Sequence, residues 1–436
     1  MPAKLPLPDV LPAAMRALLN AARVDPDAFV AERKALETCW TFLGFEHQVA
    51  GEDDWFRSEL GGRSIVVQRF SQGIAAFENK CAHRGYPLRQ DDSGNGPLLC
   101  GFHHWRYNHE GLALGIPNCV DMFGKTPREI DARLKPVELA QAGGLIFGRF
   151  ADRGGPSLEE WLGPAFPILR HVFSVMPKQT GRTSFDVKTH WRYIHEISLD
   201  DYHIVAIHPS TFGAHGYLPG EETRYEQIGP HSMFFRAGDE NSLQDMVAQC
   251  EDGAFFPPRY RILQVFPGLV VSFTPATRLF GEGYWYVVVL HIIPVAHDRS
   301  KLVTYSFRAA QPETTQRWRR IARRLAWPVI DPIFAFYARR VMREDNAACE
   351  LLQAHAAADD PPPRLAAHEE RIGWFEEAYA LAVSGVRKGA FRWPGASVVS
   401  PRAPPPASEV SGAPEAPPAN RVMSANLAPD AAPPPP

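Results

Sequence analysis

Two short loops of this 436-residue chain each pair a thiol with an imidazole: Cys81-Ala82-His83 and, sixteen residues later, Cys100-Gly101-Phe102-His103. A thiolate and a neutral imidazole are both metal donors, and two such loops at the tips of adjacent hairpins can enclose one centre. Two Cys and two His admit a tetrahedral zinc site. They also admit a [2Fe–2S] cluster with both thiolates on one iron and both imidazoles on the other. A zinc finger would carry its histidines three to five residues apart on a helix. Here each His closely follows its own Cys on a strand-and-loop background, which favours the cluster over zinc and over four unrelated hairpin residues.

A second set lies downstream, where Asp200, His203 and His208 stand at D-x2-H-x4-H, followed by Pro209. Residues three apart share a helix face, which places Asp200 beside His203. His203 and His208 would sit about 140° apart on a regular helix, so convergence needs a turn or a helix end. Pro209 biases His208 out of the helical region and predicts that end. Two histidines with one carboxylate make a facial triad that leaves neighbouring positions open on Fe(II).

Cys81-Ala82-His83-Arg84-Gly85 resembles the C-x-H-R-G motif of Rieske non-haem iron oxygenases, and Cys100 to Tyr107 resembles their C-x-x-H-x-W-x-[YF]. His104 stands where the family usually has Gly, and Gly111 fits the family's following turn. The resemblance implies Cys81 and Cys100 on one iron and His83 and His103 on the other. It also supplies the third ligand of the mononuclear iron. Glu344-Asp345, followed by Cys349, Glu350 and Gln353, is similar to the family's downstream acidic element. Asp345 is therefore the expected ligand, with Glu344 and Asp331 as fallbacks and a solvated acidic pair as the bland alternative. Asp200 matches the acidic residue that bridges the cluster of one subunit to the catalytic iron of the next, through His103 and His203, and Asp201 is the second choice. That role implies a head-to-tail ring, a trimer; the bland alternative is a helix-terminal charge. Ile197 and His190 depart from the family, which has Asn at both places. His190, His195 and His215 are expected in structural roles.

These donors need a scaffold. Short apolar runs such as Ser64–Arg69, Ile74–Glu78 and Gly144–Phe150, punctuated by Gly, Asn and Asp, predict a small antiparallel β domain. The expected division is a helical lead-in over 1–39, a Rieske-type domain over 40–151, a catalytic domain over 152–386 and a disordered Pro/Ala-rich tail over 387–436. In the catalytic stretch, strands are expected at Thr183–Val187, Arg259–Phe266, Leu269–Thr274, Tyr284–Pro294 and Leu302–Ala309. Helices are expected at Tyr193–Ile207, Thr314–Ala326, Ile333–Gln353 and Glu369–Ser384, with Pro328 and Pro332 breaking the helical stretch between the second and third. The class is α+β, and the resemblance implies a helix-grip (START-like) catalytic domain in which an antiparallel sheet wraps a long helix.

A formal charge of -3, from 46 basic and 49 acidic residues, gives no reason to expect nucleic acid or an anionic membrane as partner. Six scattered cysteines do not read as a disulfide framework, and Cys39, Cys119, Cys250 and Cys349 read as buried apolar residues. With no apolar leader and no long apolar run, the cytoplasm is the expected location. No G-x-G-x-x-G stands between a strand and a helix, so NAD(P)H oxidation is expected on a separate reductase, with electrons passing directly or through a ferredoxin. The resemblance implies hydroxylation or dihydroxylation of an organic, aromatic substrate using O2, with a β subunit as a further partner. The alternative is a monooxygenase or demethylase of a non-aromatic compound such as a quaternary amine. Phe212, Phe234, Phe235, Trp285 and Tyr286 are candidate pocket residues for either, or core.

Overall fold

The computed structural model describes residues 20–150, 155–176, 178–211, 223–235, 242–254, 260–275, 285–308, 317–361 and 363–384. Residues 1–19 of the expected lead-in, Phe212, His215 and the tail lie outside the described residues.

The first half is strand-rich. β1 (Thr41–Phe45), β2 (Asp54–Leu60), β3 (Arg63–Phe70), β4 (Gly73–Glu78), β5 (Ser93–Asn95), β8 (Pro136–Ala142) and β9 (Leu145–Arg149) form an antiparallel sheet in the order β1-β9-β8-β4-β3-β2-β5. β6 (Arg106–Tyr107) and β7 (Ala113–Gly115) make a separate small hairpin. Cys81 follows β4 and Cys100 precedes β6, so the two donor loops project from neighbouring turns. Gly111 turns this hairpin with φ 74°, and a Cβ there would meet the Phe77 ring at 2.6 Å. Only glycine satisfies both demands.

A connector follows, in which Ser157 and Glu160 form a capping box on the turn Leu158–Leu162. The second sheet runs β10 (Lys178–Val187), β16 (Arg299–Arg308), β15 (Trp285–Ala296), β14 (Leu269–Pro275), β13 (Arg261–Val265), β12 (His231–Phe235), β11 (Arg224–Ile228), antiparallel throughout. The helix Arg317–Ala354 lies against it, with Phe334 stacked on Tyr286 at 3.7 Å and Asp331 accepting from the Tyr286 hydroxyl at 2.8 Å. Phe234, Phe235 and Tyr286 are fully buried and belong to this core, while Trp285 is partly buried at its edge.

Two expectations are corrected. The stretch Tyr193–Ile207 is not one helix but two, Trp191–Ile197 and Ile204–Ile207. Asp200 breaks it, because Oδ1 accepts from the backbone N–H of Tyr202 at 2.6 Å and of His203 at 3.3 Å, a local turn that competes with helix. Pro328 and Pro332 do not interrupt Arg317–Ala354, which runs 38 residues. Arg324 and Pro328, whose carbonyls lose their i+4 partners, are solvent-exposed, so water can take those bonds.

The N-terminal helix Pro26–Leu36 is capped by Asp25, which accepts from Asp27 N at 2.9 Å, and packs on the helix Glu370–Val383. It delivers Glu32 into the core, where the carboxylate accepts from Trp191 Nε1 at 2.7 Å and from the Tyr379 hydroxyl, and lies 3.3 Å from His190 Nε2. Arg23, Arg192, Glu196 and Glu376 extend this ionic network, which ties three distant segments to the turn that carries the second donor set.

Candidate metal centres

All six cysteines are free thiols, so none is spent on a disulfide. In the first centre, Cys81 and Cys100 are buried while the two imidazoles lie nearer the surface. His83 Nδ1 and His103 Nδ1 face each other at 3.2 Å. Two nitrogens bound at about 2.1 Å to one tetrahedral ion would lie roughly 3.4 Å apart, so this spacing suits a shared iron. Trp105 stacks on the His83 ring at 4.7 Å and 7° and fixes its plane. The Tyr107 hydroxyl accepts the Ala82 N–H at 3.0 Å and lies 3.0 Å from Cys81 Sγ. Burial and the adjacent Cys81 raise the Cys100 thiol above its ordinary range, against hydrogen bonds from the Phe102 and His103 backbone. Burial, His103 and Arg84 lower His83, which keeps that ring neutral and able to donate its lone pair.

A zinc ion would draw all four donors to one point. Among the described residues, only His203, His208 and Asp345 bring three donor atoms within 4.8 Å of one another. The cysteine pair and the histidine pair of the first centre therefore do not converge on a common point, as a single ion requires and a two-iron cluster does not.

His104, beside this loop, has φ 60°. That left-handed conformation explains the glycine usual at this place and costs a side chain that glycine would not.

The second centre is built by the turn at Asp200, the short helix after it and the long helix. His208 caps Ile204–Ile207 with φ -113°, so the helix ends where Pro209 requires. His208 Nε2 lies 2.9 Å from Asp345 Oδ1, and His203 Nε2 lies 3.5 Å from the same oxygen. The three donor atoms lie within 4.8 Å of one another, close enough to share one ion. This donor set of two imidazoles and a carboxylate fits Fe(II). Burial opposes charge on all three, yet Asp200 and Asp345 push His203 up to about 9, and the two histidines hold Asp345 below its usual range.

The outer ring nitrogens are also engaged. His203 Nδ1 lies 3.4 Å from Asp200 Oδ2, and His208 Nδ1 lies 2.8 Å from Glu344 Oε2. Glu344 also accepts from Thr211 Oγ1 at 2.8 Å and Ser210 Oγ at 3.2 Å. Consecutive residues on a helix point about 100° apart, so Asp345 faces the centre while Glu344 grips the back of His208. The supporting role of Glu344 escapes sequence reading, which weighs it only as a ligand. Asp331, the other fallback, is remote from this site and pairs with Arg308 at 3.1 Å. Asp201 is buried and accepts from the Tyr225 hydroxyl at 2.7 Å instead of contacting His203. His190 and His195 are fully buried, His195 stacked on Phe375 at 4.2 Å, so both belong to the core.

The Rieske [2Fe-2S] domain family matches residues 39–127, and the ring hydroxylating alpha subunit (catalytic domain) family matches residues 177–385. The chain is 25% identical over 355 residues to the anthranilate 1,2-dioxygenase large subunit of Burkholderia cepacia, covering 73% of this chain and 78% of that one. It is 29% identical over 190 residues to the glycine betaine monooxygenase oxygenase subunit of Chromohalobacter salexigens, covering 42% and 41%. In structure it is similar to naphthalene 1,2-dioxygenase from Rhodococcus sp. (TM-score 0.62, 19% identity, 84% of this chain and 94% of that one). It is equally similar to a quaternary ammonium Rieske monooxygenase in complex with L-carnitine (TM-score 0.63, 17% identity, 83% and 94%). These structural likenesses establish a shared fold. The family matches fall on the two regions that carry the two donor sets, in the same order, and the chain belongs to the Rieske non-haem iron oxygenases as an oxygenase alpha subunit.

Proposed function

We propose that this alpha subunit is the terminal oxygenase of a multicomponent system that hydroxylates or dihydroxylates an aromatic carboxylate. The observation that carries the reading is the convergence of His203, His208 and Asp345 on one point, with Asp200 on the outer nitrogen of His203. Cys81, Cys100, His83 and His103 hold the [2Fe–2S] cluster, and His203, His208 and Asp345 hold the mononuclear iron. When bound, these groups supply the electron storage and O2 activation that no side chain provides. The side chains orient and insulate. Glu344 accepts the Nδ1 proton of His208 and so presents Nε2 to the ion. Asp200 does the same for His203 and bridges to His103 of a neighbouring copy in a ring-shaped trimer. Residues 40–151 and 152–386 are read as the two domains of this relay.

The aromatic-acid class is supported by relatives named for anthranilate, terephthalate, toluate, salicylate and 2-halobenzoate. A quaternary amine is the second reading, favoured by the glycine betaine and carnitine enzymes among the relatives and neighbours. Electrons come from a separate NAD(P)H reductase, directly or through a ferredoxin, in the cytoplasm. No helix among the described residues is long and apolar enough to cross a membrane.

The test is reconstitution with NADH, a Rieske-system reductase and ferredoxin under 18O2, offering benzoate-type acids and betaines in parallel. Label in a hydroxylated aromatic acid supports the first reading, and label in an oxidised or demethylated amine selects the second. NADH oxidation by the purified chain without partners would overturn the proposed division of labour.

A further inference from the structure

The helix Glu370–Val383 carries a cation into the interior. Arg371, in its first turn, is 0% exposed. A guanidinium stays charged and offers several N–H donors, so a buried one normally meets a carboxylate. Here Nε donates to Ser232 Oγ at 3.1 Å and Nη2 to the Ile262 carbonyl at 3.4 Å. Nη1 is buried as well and meets no acceptor among the described residues. The carboxyl whose field reaches this cation is Asp201, and that group accepts from the Tyr225 hydroxyl at 2.7 Å instead of pairing with Arg371. Burial pulls Arg371 down to about 10, so it is still a cation at neutral pH.

The register of the second sheet shows which face Arg371 rests on. Tyr286 marks the face gripped by the long helix, through its contacts with Asp331 and Phe334. Residues directly opposite on antiparallel strands share a face, as do residues two apart on one strand. Thr274 stands opposite Tyr286, Ser272 opposite Val288 and Ile262, and Phe234 opposite Ile262. Ser232 lies two residues before Phe234, so Arg371 sits, through Ser232, on the helix side of the sheet. Tyr260 borders the same face, because its hydroxyl is hydrogen-bonded to Ser272. The donor set of the second centre is close by. The Tyr260 hydroxyl lies in the fields of Asp345 and Arg371 alike, and Asp201 in those of His203 and Arg371. A phenol can accept from Ser272 and still donate its own proton.

We propose that Arg371 is a specificity-determining residue that holds the carboxylate of the substrate on Nη1, with the Tyr260 hydroxyl as a second donor. The assignment rests on the aromatic-acid reading above and gives it a physical reason. A carboxylate supplies the buried cation with a hydrogen-bonded counter-charge. A quaternary ammonium has no N–H to offer, and its fixed positive charge is repelled by the guanidinium across a low-dielectric interior.

The test is equilibrium binding to the anaerobic full-length holoprotein, with no turnover. Benzoate, salicylate and terephthalate are compared with their neutral amides and with glycine betaine. Wild type is expected to bind at least one acid about 10–100-fold more tightly than its amide, the worth of a hydrogen bond to a charged group. R371M is expected to lose that preference, with the acid weakened, the amide unchanged, and iron and sulfide content kept. Y260F is expected to weaken the acid about fivefold. Should R371M fold poorly, R371K decides, since it keeps the buried charge and loses the planar fork. It is expected to bind the acid about tenfold more weakly than wild type and the amide equally well. If the variants lose acid and amide together, Arg371 is structural, and the assignment falls while the aromatic-acid reading stands. A wild type that shows no preference for any acid over its amide also overturns the assignment alone. A wild type that binds glycine betaine more tightly than every acid overturns that reading and the assignment with it.

Discussion

His208 and Asp345 meet at 2.9 Å, Nε2 to Oδ1, although they are 137 positions apart. With His203 Nε2 3.5 Å from the same oxygen, this contact places three donor atoms within reach of one ion. Asp345→Ala is expected to abolish mononuclear iron while leaving the cluster intact. Iron per chain should fall by one, with the visible and EPR spectra of the cluster unchanged.

Glu344 acts one step further out. With Glu344→Gln, the Nδ1 of His208 faces an amide instead of a carboxylate. Loss of the orienting charge is expected to weaken Fe(II) binding about 10–100-fold. Titration of metal-free protein with Fe(II) or Co(II) measures this without any turnover. A variant that binds the ion as tightly as wild type would remove Glu344 from the account.

Asp200→Asn separates assembly from relay. The amide oxygen can still accept from Tyr202 N and His203 N, so the turn is expected to persist. Both metals should remain and the cluster should still be reducible by dithionite. Steady-state turnover should fall by two orders of magnitude or more, read as cluster reoxidation in single-turnover stopped flow with substrate and O2.

How much of this was legible in the sequence follows from how local each feature is. Cys81-x-His83 and Cys100-x2-His103 are short-range patterns on tight loops, so the first candidate centre is legible locally. His203 and His208 were legible with their spacing problem, and Pro209 correctly predicted where the helix stops. The turn at Asp200 was missed because side-chain capture of backbone N–H groups competes with helix at a level that periodicity does not see. The continuous helix through Pro328 and Pro332 was missed because solvent on its outer side and packing on its inner side outweigh two lost hydrogen bonds. The Arg23–Glu196–Glu376–Arg192 network joins residues up to 353 positions apart, and nothing in the local sequence announces it.

Stability should depend on pH through buried histidines. Burial pushes His190 down to about 4, His195 to about 3, His231 to about 4 and His291 to about 3, with nearby Arg371 adding to the effect at His195. In the unfolded chain these groups protonate near 6.5. Between about pH 6.5 and 4 the unfolded state therefore binds more protons, and stability falls as the pH falls. Each such histidine contributes about 1.4 kcal/mol per pH unit across that window. His195 offers the cleanest check, since its ring nitrogens have no hydrogen-bond partner. His195→Phe is expected to fold at pH 7.5 and to lose less melting temperature than wild type between pH 7 and 5. Parallel curves for the two proteins would refute this.

His104 holds φ 60° in a loop turn. His104→Gly is expected to relieve about 1 kcal/mol of backbone strain, partly offset by the entropy of the unfolded glycine. The melting temperature should stay level or rise slightly, with cluster content unchanged.

If the proposed reading holds, one chain carries two distinct iron centres. Iron and acid-labile sulfide analysis of the anaerobically purified protein, with EPR after dithionite reduction, tests it most directly. About three irons and two sulfides per chain are expected, with the reduced-cluster signal of mixed nitrogen and sulfur ligation. One zinc per chain with no labile sulfide would contradict it.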